Sequence, residues 1–195
     1  MMAVQKVDIK ERKRSGQPQS TADSGITWSG SSRPSVVEYR DGIVRKSVIT
    51  VPAFSFTTTA AAKGIGQGIY TFPEGWVLPI AASVTYSYTP GDNSTAGEIG
   101  LGTTIASGAV SVLSGTAAFQ DIMDGKTLGN GTGGTAVTGT FKHAGGGTSG
   151  TMDALDGSSA AKEVHLNIAS TWGGTGGVVV NSATVTLWWI DLGDS

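Results

Sequence analysis

The 195 residues carry 13 Lys and Arg against 15 Asp and Glu, 30 Gly, two His and no Cys. A net charge of −2 gives no general attraction to nucleic acid or to acidic membranes. The absence of cysteine excludes a disulfide framework, a thiolate metal site and a cysteine nucleophile, and two histidines leave imidazole catalysis and zinc chemistry short of parts.

Residues 1–46 read as an extended arm ahead of one domain, 47–195. The arm is polar, contains Pro18 and Pro34, and concentrates charge at Lys6, Lys10, Arg12, Lys13 and Arg14, with Asp8 and Glu11 interspersed. Its apolar residues are too sparse to offset the entropy of ordering it alone, so it is expected to lie against something else. No apolar run follows Arg14, so no signal peptide is read, and nothing approaches the length of a membrane span. The chain is expected to be soluble and to fold where it is made.

Strand patterns begin at Val48. Val48–Val51 and Phe54–Thr58 alternate with a change of parity at Pro52, and Gln67–Phe72 is a short strand. Pro73-Glu74-Gly75 is a turn into the longest alternating run, Trp76–Tyr88, with Trp76, Leu78, Ile80, Ala82, Val84, Tyr86 and Tyr88 on one face. Pro79 cannot donate to a ladder, which predicts a sheet edge or a bulge there. Ile99 and Leu101 alternate with Gly100 and Gly102, a strand whose second face must meet another backbone closely. Val110–Leu113 reads as a further short piece. Phe119, Ile122 and Met123 fall at helical spacing within Ala117–Asp124, the one predicted helical turn.

Thr135–Phe141 is a strand, and the Gly/Ser/Thr-rich 143–161 is a projecting loop. Glu163–Thr171 is a strand with Val164, Leu166 and Ile168 inward and His165 outward. Ala183–Leu192 places Val185, Leu187 and Trp189 on one face and Trp188, Ile190 and Leu192 on the other, so it is either central and covered on both faces or bulged near its end. About eight strands and one helical turn predict an all-β, antiparallel two-sheet sandwich, jelly-roll-like.

Candidates for chemistry are few. Asp121-Ile-Met-Asp124-Gly125 and Asp153-Ala-Leu-Asp156-Gly157 could offer carboxylates to calcium, but lack the alternating ligands of an EF-hand and read as Asp-Gly turns. No carboxylate or serine stands beside His143 or His165 to suggest a triad, and the Gly-rich runs 129–134 and 173–177 lack a phosphate loop's Lys-Ser/Thr ending. No catalytic residue, metal site or cofactor is assigned. The basic cluster Lys6–Arg14 could meet phosphates, but its interruptions and lack of aromatic interleaving favour docking onto an acidic protein surface, with Trp28 and Tyr39 as anchors. Trp172 in a Gly-rich loop, with His143, is a candidate ligand-binding loop, since aromatic faces stack on sugars.

Pro73-Glu-Gly-Trp-Val-Leu78, Ile99-Gly-Leu-Gly102, Val164-His-Leu-Asn-Ile168 and Ala183-Thr-Val-Thr-Leu-Trp-Trp-Ile-Asp191 are the stretches that matter next. In style and order, over about Val48–Leu192, they resemble the decoration or cement proteins of tailed-bacteriophage heads. The resemblance implies a β-sandwich on the outer capsid surface that strengthens contacts between major capsid protein subunits, often as a dimer or trimer. It implies no catalytic residues, a virion location after assembly in the host cytoplasm, and neither nucleic acid nor membrane as partner. The arm lies outside the resemblance. The alternative is a head-fibre, spike or tail component that binds a host-surface glycan through its loops.

Overall fold

A computed structural model describes residues 14–15, 34–59, 61, 63–89, 97–128, 135–144, 153–170 and 176–193. In chain order the strands are β1 (Arg14–Ser15), β2 (Ser35–Asp41), β3 (Val44–Val51), β4 (Phe54–Thr58), β5 (Gly64–Thr71) and β6 (Gly75–Thr89). They continue with β7 (Glu98–Gly102), β8 (Met123–Thr127), β9 (Val137–Ala144), β10 (Leu155–Gly157), β11 (Glu163–Ala169) and β12 (Gly176–Gly193). Two antiparallel sheets form the sandwich. The larger has eight strands in the order β1-β2-β3-β12-β6-β10, with β4 also on β12 and β9 also on β6; the smaller has the order β5-β11-β7-β8.

β12 is the spine of the large sheet. On one side its first half pairs with β4 and its second with β3, while β6 runs along the other side. This strand is central, but it is not covered on both faces: Trp188, Ile190 and Leu192 face outward, and the reading that holds is the bulged one, at Asn181 and Leu192, which have no partner in the β6 register. The bulge at Asn181 carries the inward parity from Val178 and Val180 to Ala183, Val185, Leu187 and Trp189, so all six reach the core.

β6 is bulged as well, and here the expected alternation is corrected. Pro79 pairs with Trp189 and Ala81 with Trp188, leaving Ile80 unopposed. Ala82, Val84, Tyr86 and Tyr88 are buried as expected, but before the bulge the buried positions are Val77 and Pro79. Trp76, Leu78 and Ile80 are thereby moved to the outer face. The proline's missing donor is tolerated because the ladder is already interrupted there.

Ser35–Asp41 and Val44–Val51 form a hairpin of the large sheet, although 35–46 lies within the segment read as an arm. Val36 packs against the core, and Glu38 enters a polar network between the sheets. Trp189 Nε1 donates to Ser47 Oγ at 3.0 Å, and Tyr70 O–H donates to Glu38 Oε1 at 2.5 Å. Ser47 Oγ lies 3.3 Å from Tyr70 Oη and 3.4 Å from Glu38 Oε1. Burial, and then the Glu38 carboxylate, push the Tyr70 phenol far above its ordinary pKa, so it stays a neutral donor. Phe72 packs edge-on between Tyr70 and Trp189, joining this network to the apolar core.

The small sheet is buried on both faces. Its inner face supplies Leu101, Val164, Leu166 and Ile168 to the core; its outer face is roofed by residues 103–119. Gly102 shows why glycine is needed: a Cβ there would lie 2.3 Å from the Phe119 carbonyl carbon. Asn167 holds the roof down. Its Oδ1 accepts from Ala106 N at 2.9 Å, and its Nδ2 donates to Thr104 O at 2.9 Å and Phe119 O at 2.8 Å. Gly66 leaves it room, since a Cβ there would sit 2.1 Å from Oδ1.

The roof also corrects three expectations. Val110–Leu113 is not a strand, and Ala117–Asp124 is not one helical turn. Two three-residue 3₁₀ turns, Leu113–Gly115 and Ala117–Phe119, precede a bend, and Met123 begins β8. Phe119, Ile122 and Met123 are all buried, but Ile122 and Met123 enter the inter-sheet core while Phe119 joins a separate small cluster with Ala106, Leu113 and Ala169, so their spacing does not mark one helix face. His165 does point away from the inter-sheet core, but the roof leaves it only 6% exposed.

Candidate interaction surface

The inner faces of both sheets are consumed by the core and the small sheet's outer face by its roof. The outer face of the large sheet is what remains, and it divides into two chemically different halves.

One half is hydroxylated. Ser35 pairs with Thr50, Thr50 with Thr184, Thr184 with Thr85 and Thr85 with Thr140, giving a rung of five exposed hydroxyl side chains across five strands. Thr85 and Thr140 share a hydrogen bond of 3.0 Å, and the bulge residue Asn181 donates to Thr89 Oγ1 at 3.0 Å. β-Branched hydroxyls suit an exposed pleated surface, and neighbouring Thr pairs stabilise it.

The other half, nearer the β2–β3 turn, is aromatic and aliphatic. Tyr39, Val48, Leu78, Ile80, Trp188 and Ile190 are all half-buried on it. Lys46 spans its centre, with Nζ 5.1 Å from the Tyr39 ring centroid and 5.9 Å from that of Trp188. At its corner Ile43, Val44 and Leu192 are exposed, tied together by the Val44–Ile190 pairing and a backbone bond from Asp191 N to Ile43 O at 3.0 Å. The Arg45–Asp191 ion pair of 2.5 Å fastens β3 to β12 just beneath.

A shallow groove of about 590 Å³ opens where the β6 bulge meets β9, lined by Ile80, Ala81, Ser83, Lys142, His143 and Trp188, with Ala82 at its floor. His143 Nδ1 lies 3.7 Å from Asp124 Oδ2, which is an ion pair only when the imidazole is protonated. His143 is thus brought to the groove, while Trp172 lies outside the described residues. Among the proposed docking residues, Tyr39 belongs to the apolar half, and Arg14 pairs through its backbone with Glu38. Lys6, Lys10, Arg12, Lys13 and Trp28 lie outside the described residues.

The two D-x-x-D-G stretches stand apart and do different work. Asp121 accepts from Thr103 N at 2.7 Å and Thr103 Oγ1 at 2.5 Å; burial nevertheless raises its pKa above the ordinary carboxylate range. Asp156 accepts from Ser158 N at 3.0 Å and Oγ at 2.6 Å, and those bonds lower its pKa; the expected Asp-Gly turns are corrected, since Asp124-Gly125 lies within β8 and Asp156-Gly157 within β10. Among the described residues no group of three or more His, Asp or Glu converges as metal ligands would. His165 Nε2 lies 3.4 Å from Glu163 Oε2, and burial lowers its pKa to about 4. No helix among the described residues is long and apolar enough to cross a membrane.

No family model matches the sequence, and no curated protein does. Solved structures to which the chain is similar include two viral chains. A chain of the cyanophage Pam1 capsid asymmetric unit is 12% identical with a TM-score of 0.37, the match covering 88% of this chain and 98% of that one. A chain of infectious bursal disease virus, Gx strain, is 12% identical with a TM-score of 0.30, covering 82% of this chain and 41% of that one. At this overlap neither neighbour transfers a function.

Sequence reading missed both halves of the surface. The hydroxyl rung needs a register that joins residues 35, 50, 85, 140 and 184. The apolar half needs the bulge at Ile80, which turns what reads as a core face outward. Only Pro79 signalled that a change of parity was due.

Proposed function

We propose that this protein is a structural, non-enzymatic component of a virion: a decoration protein that binds the outer surface of a phage head and strengthens contacts between major capsid protein subunits. The observation that carries the reading is the apolar half of the large sheet's outer face. Tyr39, Trp188, Ile190, Leu78 and Ile80 form a contiguous surface with Lys46 laid across its rings, the aromatic-plus-cation composition typical of interface anchors. A cement protein needs area and shape rather than a reactive group, and weak contacts repeated on a lattice gain by avidity. The stretches that carry the resemblance to head decoration proteins supply β6, β7, β11 and β12, strands of both sheets.

In this reading residues 1–33, with Lys6, Lys10, Arg12, Lys13, Arg14 and Trp28, reach over neighbouring capsid subunits, while Tyr39 anchors the sheet face. Copies assemble on the shell as dimers or trimers, with no cofactor. Removal of residues 1–33 tests the tether; a deletion to 46 would also remove β2 and part of β3 and so unfold the body. Co-sedimentation with purified heads should fall at least tenfold while the melting temperature holds. Undiminished binding by a folded truncation refutes the tether.

A second reading, glycan binding by a head fibre or spike, draws on the groove beside Trp188, Lys142 and His143 and on the hydroxyl rung next to it. A glycan array separates the two, since a pure cement protein gives no signal there.

A further inference from the structure

The groove beside Trp188 opens where the pairing of β6 is interrupted. The β9 ladder ends at Ala144 opposite Ala81, and the β10 ladder begins at Leu155 opposite Val77. Among the described residues, Leu78, Pro79 and Ile80 therefore have no strand beside them on that side, and the bulge leaves Ile80 without a partner in the β12 register as well. The resulting notch is mostly apolar, lined by Ile80, Ala81 and the half-buried Trp188, and its polar lining is limited to Ser83, Lys142 and His143.

Two cations flank it on the same outer face. Lys46 shares a rung with Tyr39, Trp188 and Ala81, and Lys142 pairs with Ser83 on the next outward-facing rung. Three strand spacings and one rung set their Cα atoms about 16 Å apart, on opposite sides of Trp188 and Ala81. Lys46 leans inward, its Nζ 5.9 Å from the Trp188 ring centroid. Neither lysine forms an ion pair among the described residues. The carboxylates around the face are engaged or stand at its ends: Asp191 with Arg45, Asp124 beside His143, and Asp156 with Ser158 on β10. Asp41, at the β2–β3 turn, lies one outward rung beyond Lys46 and is not paired with it. Residues 34–195 hold seven Lys and Arg against twelve Asp and Glu, so two unpaired lysines around one apolar notch run against the charge of the body. A partner that covers this face desolvates both ammonium groups, and that is unfavourable unless it brings anions to them.

We propose that the partner presents an acidic, aliphatic peptide segment to this face, an aliphatic side chain filling the notch against Ile80 and Trp188 and carboxylates on either side of it meeting Lys142 and Lys46. A sugar would need several hydroxyl partners, whereas the lining offers Ser83 as its one uncharged side-chain hydroxyl. Carboxylates four residues apart on an extended segment are separated by about 13 Å, and the reach of two lysine side chains covers the remainder. This assignment rests on the docking reading above for the identity of the partner, the shell protein, and the test is arranged so that the two can fail separately.

The probes are two acetylated and amidated peptides, Glu-Ala-Ile-Ala-Glu and Gln-Ala-Ile-Ala-Gln, titrated into the full chain labelled with nitrogen-15. At low salt the acidic peptide should bind at least fivefold tighter and shift the backbone amides of residues 80–83 and the Trp188 indole. Lys46→Gln with Lys142→Gln should remove that preference, while Lys126→Gln, on β8 of the other sheet, should keep it. Equal affinity for the two peptides, or no binding of either, overturns the proposal. So does tighter binding of an oligoglucuronate than of the acidic peptide, which would give the notch to a glycan instead. Co-sedimentation with purified heads separates the two readings: Lys46→Glu with Lys142→Glu should cut binding at least tenfold. Undiminished binding by that chain overturns the acidic partner and leaves docking in place, whereas failure of the unaltered chain to bind heads removes the docking reading whatever the peptides show.

Discussion

Asn167→Ala is the side-chain truncation from which the largest loss of stability is expected outside the apolar core. The side chain makes three hydrogen bonds to the backbone of the roof, at Ala106 N, Thr104 O and Phe119 O. Asn167 is fully buried, and the bonds to Ala106 and Phe119 lie in buried surroundings while that to Thr104 is partly open. An unsatisfied buried group costs about 1–3 kcal/mol, so two buried orphans and one partly solvated one come to about 3–5 kcal/mol. For a chain of this size that corresponds to a fall in melting temperature of about 10 °C. Differential scanning calorimetry reads the shift, and hydrogen exchange over 103–119 should show the roof opening before the core does. Thr140→Ala, on the exposed rung, serves as the control and should change stability by less than about 0.5 kcal/mol. An Asn167→Ala loss below about 1 kcal/mol, or protection in the roof unchanged, refutes the pinning role assigned to this residue.

Ser47→Ala removes the acceptor of Trp189 Nε1 and is expected to cost about 1–3 kcal/mol in chemical denaturation, whereas Trp189→Leu, which removes the donor and the ring together, should also abolish the edge contact with Phe72. Gly102→Ala drives a Cβ into the Phe119 backbone and should yield insoluble or poorly folded protein on expression, whereas Gly42→Ala, with nothing within 4 Å but a φ of 61°, should fold with a loss of about 1 kcal/mol. The His165 imidazole gains a proton near pH 6.5 in the unfolded chain but only near 4 in the folded one, so the unfolded state binds more protons between these values. Stability should therefore fall as pH drops from 6.5 to 4, by up to about 3 kcal/mol, and a His165→Gln chain should lose that part of the slope in pH-dependent melts. Trp188→Ser with Ile190→Ser should cut head binding at least tenfold with little change in melting temperature, because both side chains face outward; equal binding removes the apolar half from the interface.

What was legible in the sequence was periodicity. β11 reads correctly because Val164, Leu166 and Ile168 alternate cleanly, and the Gly100/Gly102 pattern of β7 predicted the close backbone approach that the roof makes. The break between β3 and β4 at Pro52 was visible for the same reason. What was hidden depends on partners distant in the chain. The bulge at Ile80 is defined by its register against Trp188 and Trp189, over a hundred residues later, and it reverses the facing of Trp76 and Leu78. His165 looked exposed because its strand parity is outward; nothing local shows that residues 103–119 will fold over it. Asn167 sits in a strand pattern where a polar residue reads as solvent-facing, and only the three backbone groups it meets reveal its role. Helical spacing at Phe119, Ile122 and Met123 misled because three buried residues at those intervals fit a 3₁₀ turn, a bend and a strand start equally well.

Cryo-electron microscopy of purified virions that carry this protein, at a resolution that separates strands, tests the account most directly. The sandwich should stand on the outside of the head in symmetry-related copies, with Tyr39, Trp188 and Ile190 buried against major capsid protein and the small sheet's roof facing solvent. Particles without the chain on the shell, or with it confined to a tail or fibre and its large-sheet face turned to solvent, contradict it.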